Sequence, residues 1–139
     1  MKLAVKGDYA SRAMEWLAMK YSSGKPASIE EMARHQRIPA NYLVQILREL
    51  KAGGLIRSLR GKAGGYLLAR SPDKISFADV LRAVHGEVFD ITCSAERGCP
   101  DELRQVWKRL KTVIEREAEA VSFAEITSAA NDRVAMFEI

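Results

Sequence analysis

Cysteine is scarce in this chain of 139 residues: it has two, Cys93 and Cys99, both inside the stretch CSAERGCP. Two thiols do not by themselves complete a metal site, which usually wants three or four protein ligands. Five residues separate them where a thiol oxidoreductase uses Cys-x-x-Cys, and no thioredoxin-like βαβ pattern accompanies them. No apolar run approaches the roughly 18 residues of a membrane span. The opening MKLAVKGDYA begins like a secretory signal, but Lys6 and Asp8 interrupt any hydrophobic core. A cytoplasmic protein with reduced thiols and no membrane partner is therefore expected. The glycine-rich basic stretch Arg60–Gly65 lacks P-loop spacing and no helix follows it, which argues against a nucleotide site. Nothing in this set points to an enzyme.

What the chain does have is a core and a lopsided charge. Hydrophobic residues make up 47%, enough to bury a real interior. Residues 1–75 carry 14 Lys+Arg against 6 Asp+Glu, a balance of +8; residues 76–139 carry 8 against 12, a balance of −4. A basic front joined to an acidic rear fits a polyanion-binding module attached to a part with another task.

Apolar periodicity organises the front half. Tyr9, Ala10, Ala13, Met14, Leu17, Ala18 and Tyr21 form one stripe and predict a helix over about Asp8–Tyr21. Ser28 and Glu31 have the spacing of a capping box, opening a short helix that ends near Gln36. After the turn Arg37-Ile38-Pro39, a third helix over about Ala40–Ala52 turns Leu43, Ile46, Leu47 and Leu50 inward and stops at Gly53-Gly54. Two short helices, a tight turn and the small Ala33 facing the next helix describe a helix-turn-helix. A left-handed residue at the turn would cost Arg37 about 1 kcal/mol. Leu55–Leu59 and Tyr66–Ala69 then predict two strands joined by the basic tip, the wing of a winged helix.

The rear half begins after Ser71-Pro72-Asp73. Ser76 with Asp79 caps a helix over Phe77–Val84 that ends at His85-Gly86; His85 suits a helix C-terminus and is given no chemistry. From about Pro100 a long helix carries Leu103, Val106, Trp107, Leu110, Val113 and Ile114 on one stripe. No segment of matching length exists to cover it, so a second copy of the chain is the expected partner; a helix folded back on its own domain is the alternative. Ser122 and Glu125 cap a last short helix, and the apolar end VAMFEI docks at an unspecified place. The expected fold is mainly α: a winged helix-turn-helix domain with a two-stranded wing (1–75), a connecting helix and cysteine sensor loop (76–99), and a long C-terminal dimerisation helix with tail (100–139).

The third helix should enter the major groove of double-stranded DNA. Its outward residues include Asn41, Tyr42, Val44, Gln45 and Arg48. Asn or Gln pairs with adenine, Arg with guanine, and Val44 can touch a thymine methyl. Tyr42 suits a phosphate, or packing. On the wing, Arg60 with Gly61 can reach a narrow minor groove. Lys6, Arg57 and Lys62 are candidates for backbone neutralisation, and Ser28 joins the candidate DNA contacts. A winged helix that binds protein instead is the competing reading.

Three stretches, MKLAVKGDYASRAM, PANYLVQILRELKAGGLIRSLRGKAGGYLLAR and SFADVLRAVHGE, followed by a cysteine loop and a long helix, resemble the IscR/NsrR/CymR family of bacterial transcription regulators over about residues 1–127. The wing RGKAGGYLLAR is the most specific part. The resemblance implies a homodimeric repressor or activator paired through the long helix. Many such proteins bind an iron–sulfur cluster through three cysteines in the loop before that helix. Cys93 and Cys99 match the first two, but Asp101 stands near the third position and Arg104 where some relatives place a ligating His, so a three-cysteine site is excluded. The resemblance suggests a mixed set, Cys93 and Cys99 of one subunit with Asp8 and His35 of the other, holding a labile two-iron two-sulfur cluster that senses redox state, nitric oxide or iron–sulfur status. Two further readings stay open: a dithiol–disulfide switch, and a cluster-free regulator sensing a metabolite or partner protein. Asp8 as a plain helix cap and His35 as a solvent-facing residue at a helix end are the simple alternatives.

Overall fold

The computed structural model describes residues 5–90 and 98–137; Cys93 and the last two residues of VAMFEI lie outside them. Helix α1 runs Val5–Met19 and buries Gly7, Ala10, Ala13, Met14, Leu17 and Ala18, so the expected stripe is right while both ends shift toward the N-terminus. Tyr21 lies beyond the helix, in a 3-10 turn, Tyr21–Ser23. The Ser23 hydroxyl, donating to the Lys20 carbonyl, and the left-handed Gly24 close the chain there.

Helix α2, Ile29–Gln36, is capped by Ser28, whose Oγ accepts from Glu31 N–H at 3.1 Å. The expected return bond from the Glu31 carboxylate does not form. That carboxylate accepts instead from Trp16 Nε1 (2.6 Å) and Lys20 Nζ (2.7 Å) of α1, because two strong donors outbid one backbone N–H. Burial alone would push the Glu31 carboxyl up; the hydrogen bonds from Lys20 and Trp16 and the positive charges of Lys20 and His35 hold it below its ordinary value. Arg37 ends α2 in the left-handed conformation (φ 54°), as expected, and its carbonyl lies 3.4 Å from Arg12 Nη1.

Helix α3, Ala40–Ala52, buries Leu43, Ile46, Leu47 and Leu50. Strands β1 (Ile56–Leu59) and β2 (Gly65–Leu68) pair antiparallel, Ile56 opposite Leu68 and Leu59 opposite Gly65. Ala27 adds a bridge to Tyr66 on the other edge of β2, through N–H···O bonds of 3.0 and 2.8 Å, which ties the wing to the start of α2. Gly65 permits this: at φ 152° a Cβ there would lie 2.4 Å from the Ala27 carbonyl oxygen.

A 3-10 turn, Pro72–Lys74, leads to α4, Phe77–His85, where Ser76 and Asp79 form the full reciprocal capping box. Helix α5 spans Asp101–Ala120 and α6 Phe123–Phe137. The expectation of a short last helix is corrected: α6 has 15 residues and takes in much of the VAMFEI end. Ser122 Oγ accepts from Glu125 N–H as expected, and Phe123, Thr127 and Ala130 then supply a buried face. The core runs across residue 75, from Met14, Met32, Leu43 and Leu47 to Ile75, Val80 and Phe123. By contrast α5 has no buried residue; the ion pairs Arg82–Glu119 and Lys111–Glu87 tether it.

Candidate functional site

The burial of Leu43, Ile46, Leu47 and Leu50 forces the opposite face of α3 outward, and Asn41, Tyr42, Val44, Gln45 and Arg48 are all exposed on it. Tyr42 also meets the edge of Tyr9 at 5.8 Å between ring centroids, so it packs while staying accessible. The wing presents Arg57, Arg60, Gly61 and Lys62, all exposed. Lys51 Nζ donates to Ser58 Oγ at 2.9 Å and so joins α3 to β1. Ser28, committed as an acceptor to its cap, keeps its hydroxyl hydrogen for donation. Lys6 departs from expectation. Its ammonium lies 2.6 Å from Glu49 Oε1, so it is engaged inside the fold and is not a phosphate contact in this arrangement.

The expected cluster ligands do not gather. Asp8 Oδ2 accepts from Arg12 Nη2 at 2.8 Å. His35 stacks on Trp16, with centroids 4.4 Å apart and planes 10° apart. Asp8 and Trp16 are two turns apart on α1, about 12 Å at 1.5 Å per residue. The α2 side chain facing the Arg12 turn is Gln36, whose amide donates to the Arg12 carbonyl (2.7 Å) and to Glu15 (3.1 Å). His35, one residue earlier, is turned by about 100° from it. Cys99 is partly exposed just before α5, its thiol 3.7 Å from the Pro100 carbonyl oxygen. Beside it, Arg104 donates to the Cys99 carbonyl (3.2 Å) and to Asp101 (3.3 Å), placing a cation where a metal site wants a donor. Among the described residues no three of His, Cys, Asp and Glu come close enough to hold a metal ion. The set Cys93, Cys99, Asp8 and His35 therefore does not fit one iron–sulfur cluster, since a single subunit cannot bring Asp8 and His35 to the same point.

Several organising residues escaped the sequence reading. Arg12 reaches Asp8, the carbonyls of Gln36 and Arg37, and the Tyr9 ring, with its guanidinium carbon 5.5 Å from the ring centroid. Glu49 joins α3 to α1. A pocket of about 670 Å³ lies beside the segment leading to the cysteines, with apolar walls that include Phe77, Leu81, Val88, Phe89 and Phe123. The i,i+4 spacings Asp8–Arg12 and Gln45–Glu49 were visible signals; the pocket had none, because it forms between elements distant in sequence.

Exposed α3 and wing residues beside a buried helix-turn-helix core define a winged-helix DNA-binding regulator. The family model Rrf2, described as iron-dependent transcriptional regulator, matches residues 3–129, and the chain belongs to that family. It is 33% identical over 130 residues to the HTH-type transcriptional regulator IscR of Aliivibrio salmonicida, covering 91% of this chain and 77% of that protein. It is 28% identical over 128 residues to the HTH-type regulator CymR of Bacillus subtilis, covering 92% and 91%. The structure of CymR, the global cysteine regulator of B. subtilis, superposes with a TM-score of 0.82 at 26% identity, over 93% of this chain and 98% of that one. IscR of T. potens gives 0.77 at 30% identity, over 94% and 88%. Among the described residues no helix is long and apolar enough to cross a membrane.

Proposed function

We propose that two copies of this chain pair through the exposed face of α5 and grip duplex DNA as a transcription regulator, each with α3 in a major groove and its wing beside the minor groove. The observation that carries the reading is the outward row Asn41, Val44, Gln45 and Arg48 with Arg57, Arg60 and Lys62 close in sequence on the wing, all exposed and mostly polar or cationic. Base edges are read by the amide and guanidinium groups, and phosphates by the remaining cations. Pairing through Leu103, Val106, Trp107, Leu110, Val113 and Ile114 would remove an apolar stripe from water and set two α3 helices on one duplex. A salt titration tests it. Binding should weaken linearly on a log–log scale with a slope of about −0.9 per phosphate neutralised; salt-insensitive binding, or none to any duplex, contradicts it.

For the effector we favour the cluster-free reading, in which the rear half senses a small molecule. The pocket supports it: it lies between α1, α4, α6 and the segment 87–90, so an occupant would touch both the DNA-binding core and the approach to the cysteines. The dithiol switch depends on Cys93, which lies outside the described residues. Protein purified without oxygen should be colourless, with iron at background. Stoichiometric iron with a visible absorption band would overturn the cluster-free reading.

A further inference from the structure

We propose that Glu49, held by Lys6, is a positioning residue for base selection: it fixes the side-chain amide of Gln45 so that Gln45 selects adenine over guanine. The proposal rests on α3 being the base-reading helix and deepens that reading.

Gln45 and Glu49 stand one turn apart on α3, and Gln45 Nε2 donates to Glu49 Oε1 at 3.2 Å. A carboxylate can only accept, so it selects the NH2 end of the amide and commits one of its two hydrogens. One N–H and the carbonyl oxygen remain for DNA, which is the pair that adenine takes through N7 and its N6 amino group. Guanine offers two acceptors, O6 and N7, and would need both hydrogens.

Glu49 is itself fixed from behind. The same Oε1 accepts from Lys6 Nζ of α1 at 2.6 Å, and Oε2 is buried with no hydrogen-bond partner. The carboxyl stays ionised despite its surroundings: burial would push it up, but hydrogen bonds from Lys6 and Gln45 and the positive charges of Lys6 and His85 hold it below its ordinary value. The backbone next to Lys6 is also pressed in place, since a Cβ on Gly7 would come within 2.9 Å of His85 Nε2 at the end of α4. A glutamine on an exposed helix face is otherwise free to rotate; here α1 and α4 hold the residue that holds it.

The test uses the full chain. A site is selected from a randomised duplex pool with wild-type protein, and Gln45→Ala identifies the base pair at which preference is lost. Affinities are then measured on that site and on its A·T→G·C counterpart for wild type, Glu49→Ala, Glu49→Gln and Lys6→Met. The preference is a ratio within one preparation, so loss of folded protein cancels from it. Wild type should prefer adenine about tenfold or more. Glu49→Ala should bring that to within about twofold at the same base pair and at no other, Lys6→Met should reduce it part of the way, and Glu49→Gln, which still offers an acceptor, should restore much of it. A Glu49→Ala protein with a lower melting temperature but an intact preference overturns the proposal. If Gln45→Ala keeps every preference while wild type binds, the positioning role fails and the DNA interface stands. If wild type binds no duplex, both fail.

Discussion

Helices α3 and α5 are both amphipathic, yet they put their apolar faces to opposite uses. On α3, Leu43, Ile46, Leu47 and Leu50 are each at most 1% exposed, and the polar face is what remains for the outside. On α5, Leu103, Val106, Leu110 and Val113 are between 45% and 53% exposed, and the polar side supplies the ion pairs that tether it to α4 and the segment after it. A helical stripe states that a face prefers to leave water, and the neighbours decide whether the same chain can cover it. Helix α3 is surrounded by α1, α2, α4 and β1; α5 packs only along part of α4. Its uncovered stripe is the physical basis for expecting a second copy.

The contrast can be broken first where it is largest. Leu47→Ala removes a side chain from the folded core and should cost about 2–5 kcal/mol of unfolding free energy in denaturant titration. Leu110→Glu should leave the fold of one copy intact, give monomers in sedimentation, and weaken binding to a two-half-site duplex by about 100-fold or more, because the two α3 helices then bind independently. If Leu110→Glu unfolds the protein while dimers persist at the midpoint, α5 belongs to the core after all. Next in size, Arg60→Ala and Lys62→Ala should each weaken all duplexes by similar factors and reduce the salt slope by about 0.9 per lost phosphate contact. A sequence-selective loss from Arg60→Ala would place that residue at a base edge.

The smallest effect concerns Glu31, which fastens α2 to α1 through Trp16 and Lys20. Its carboxyl is lowered by folding, so the stability it contributes is complete above the ordinary carboxylate value and is lost as pH falls through the depressed one. Glu31→Gln should lower the melting temperature at neutral pH, and should make it decline less than wild type on acidification. Parallel declines would contradict the role given to this ion pair.

The parts legible in the sequence were those governed by local chemistry. The capping box of Ser76 and Asp79, the left-handed Arg37 and the inward row of α3 follow from residue types at fixed spacing. The parts that escaped depend on competition between elements. Ser28 and Glu31 had capping-box spacing, but Trp16 and Lys20 of another helix claimed the carboxylate. Lys6 read as a surface cation because Glu49, 43 residues away, was not visible as its partner. Asp8 and His35 were joined through a family resemblance that carried no distance, and His35 proved to face Trp16 and not the Arg12 turn. Length misled at α6, where a caps-and-stripe reading ended too early.

The central claim is that paired copies lay two α3 helices along one duplex, and a hydroxyl-radical footprint of wild-type protein on its selected site tests it most directly. Two protected patches on one face of the DNA are predicted, related by a twofold axis and spaced by one helical turn, roughly 34–36 Å, or a multiple of it. A single protected patch that persists at saturating protein, or none, would contradict the account.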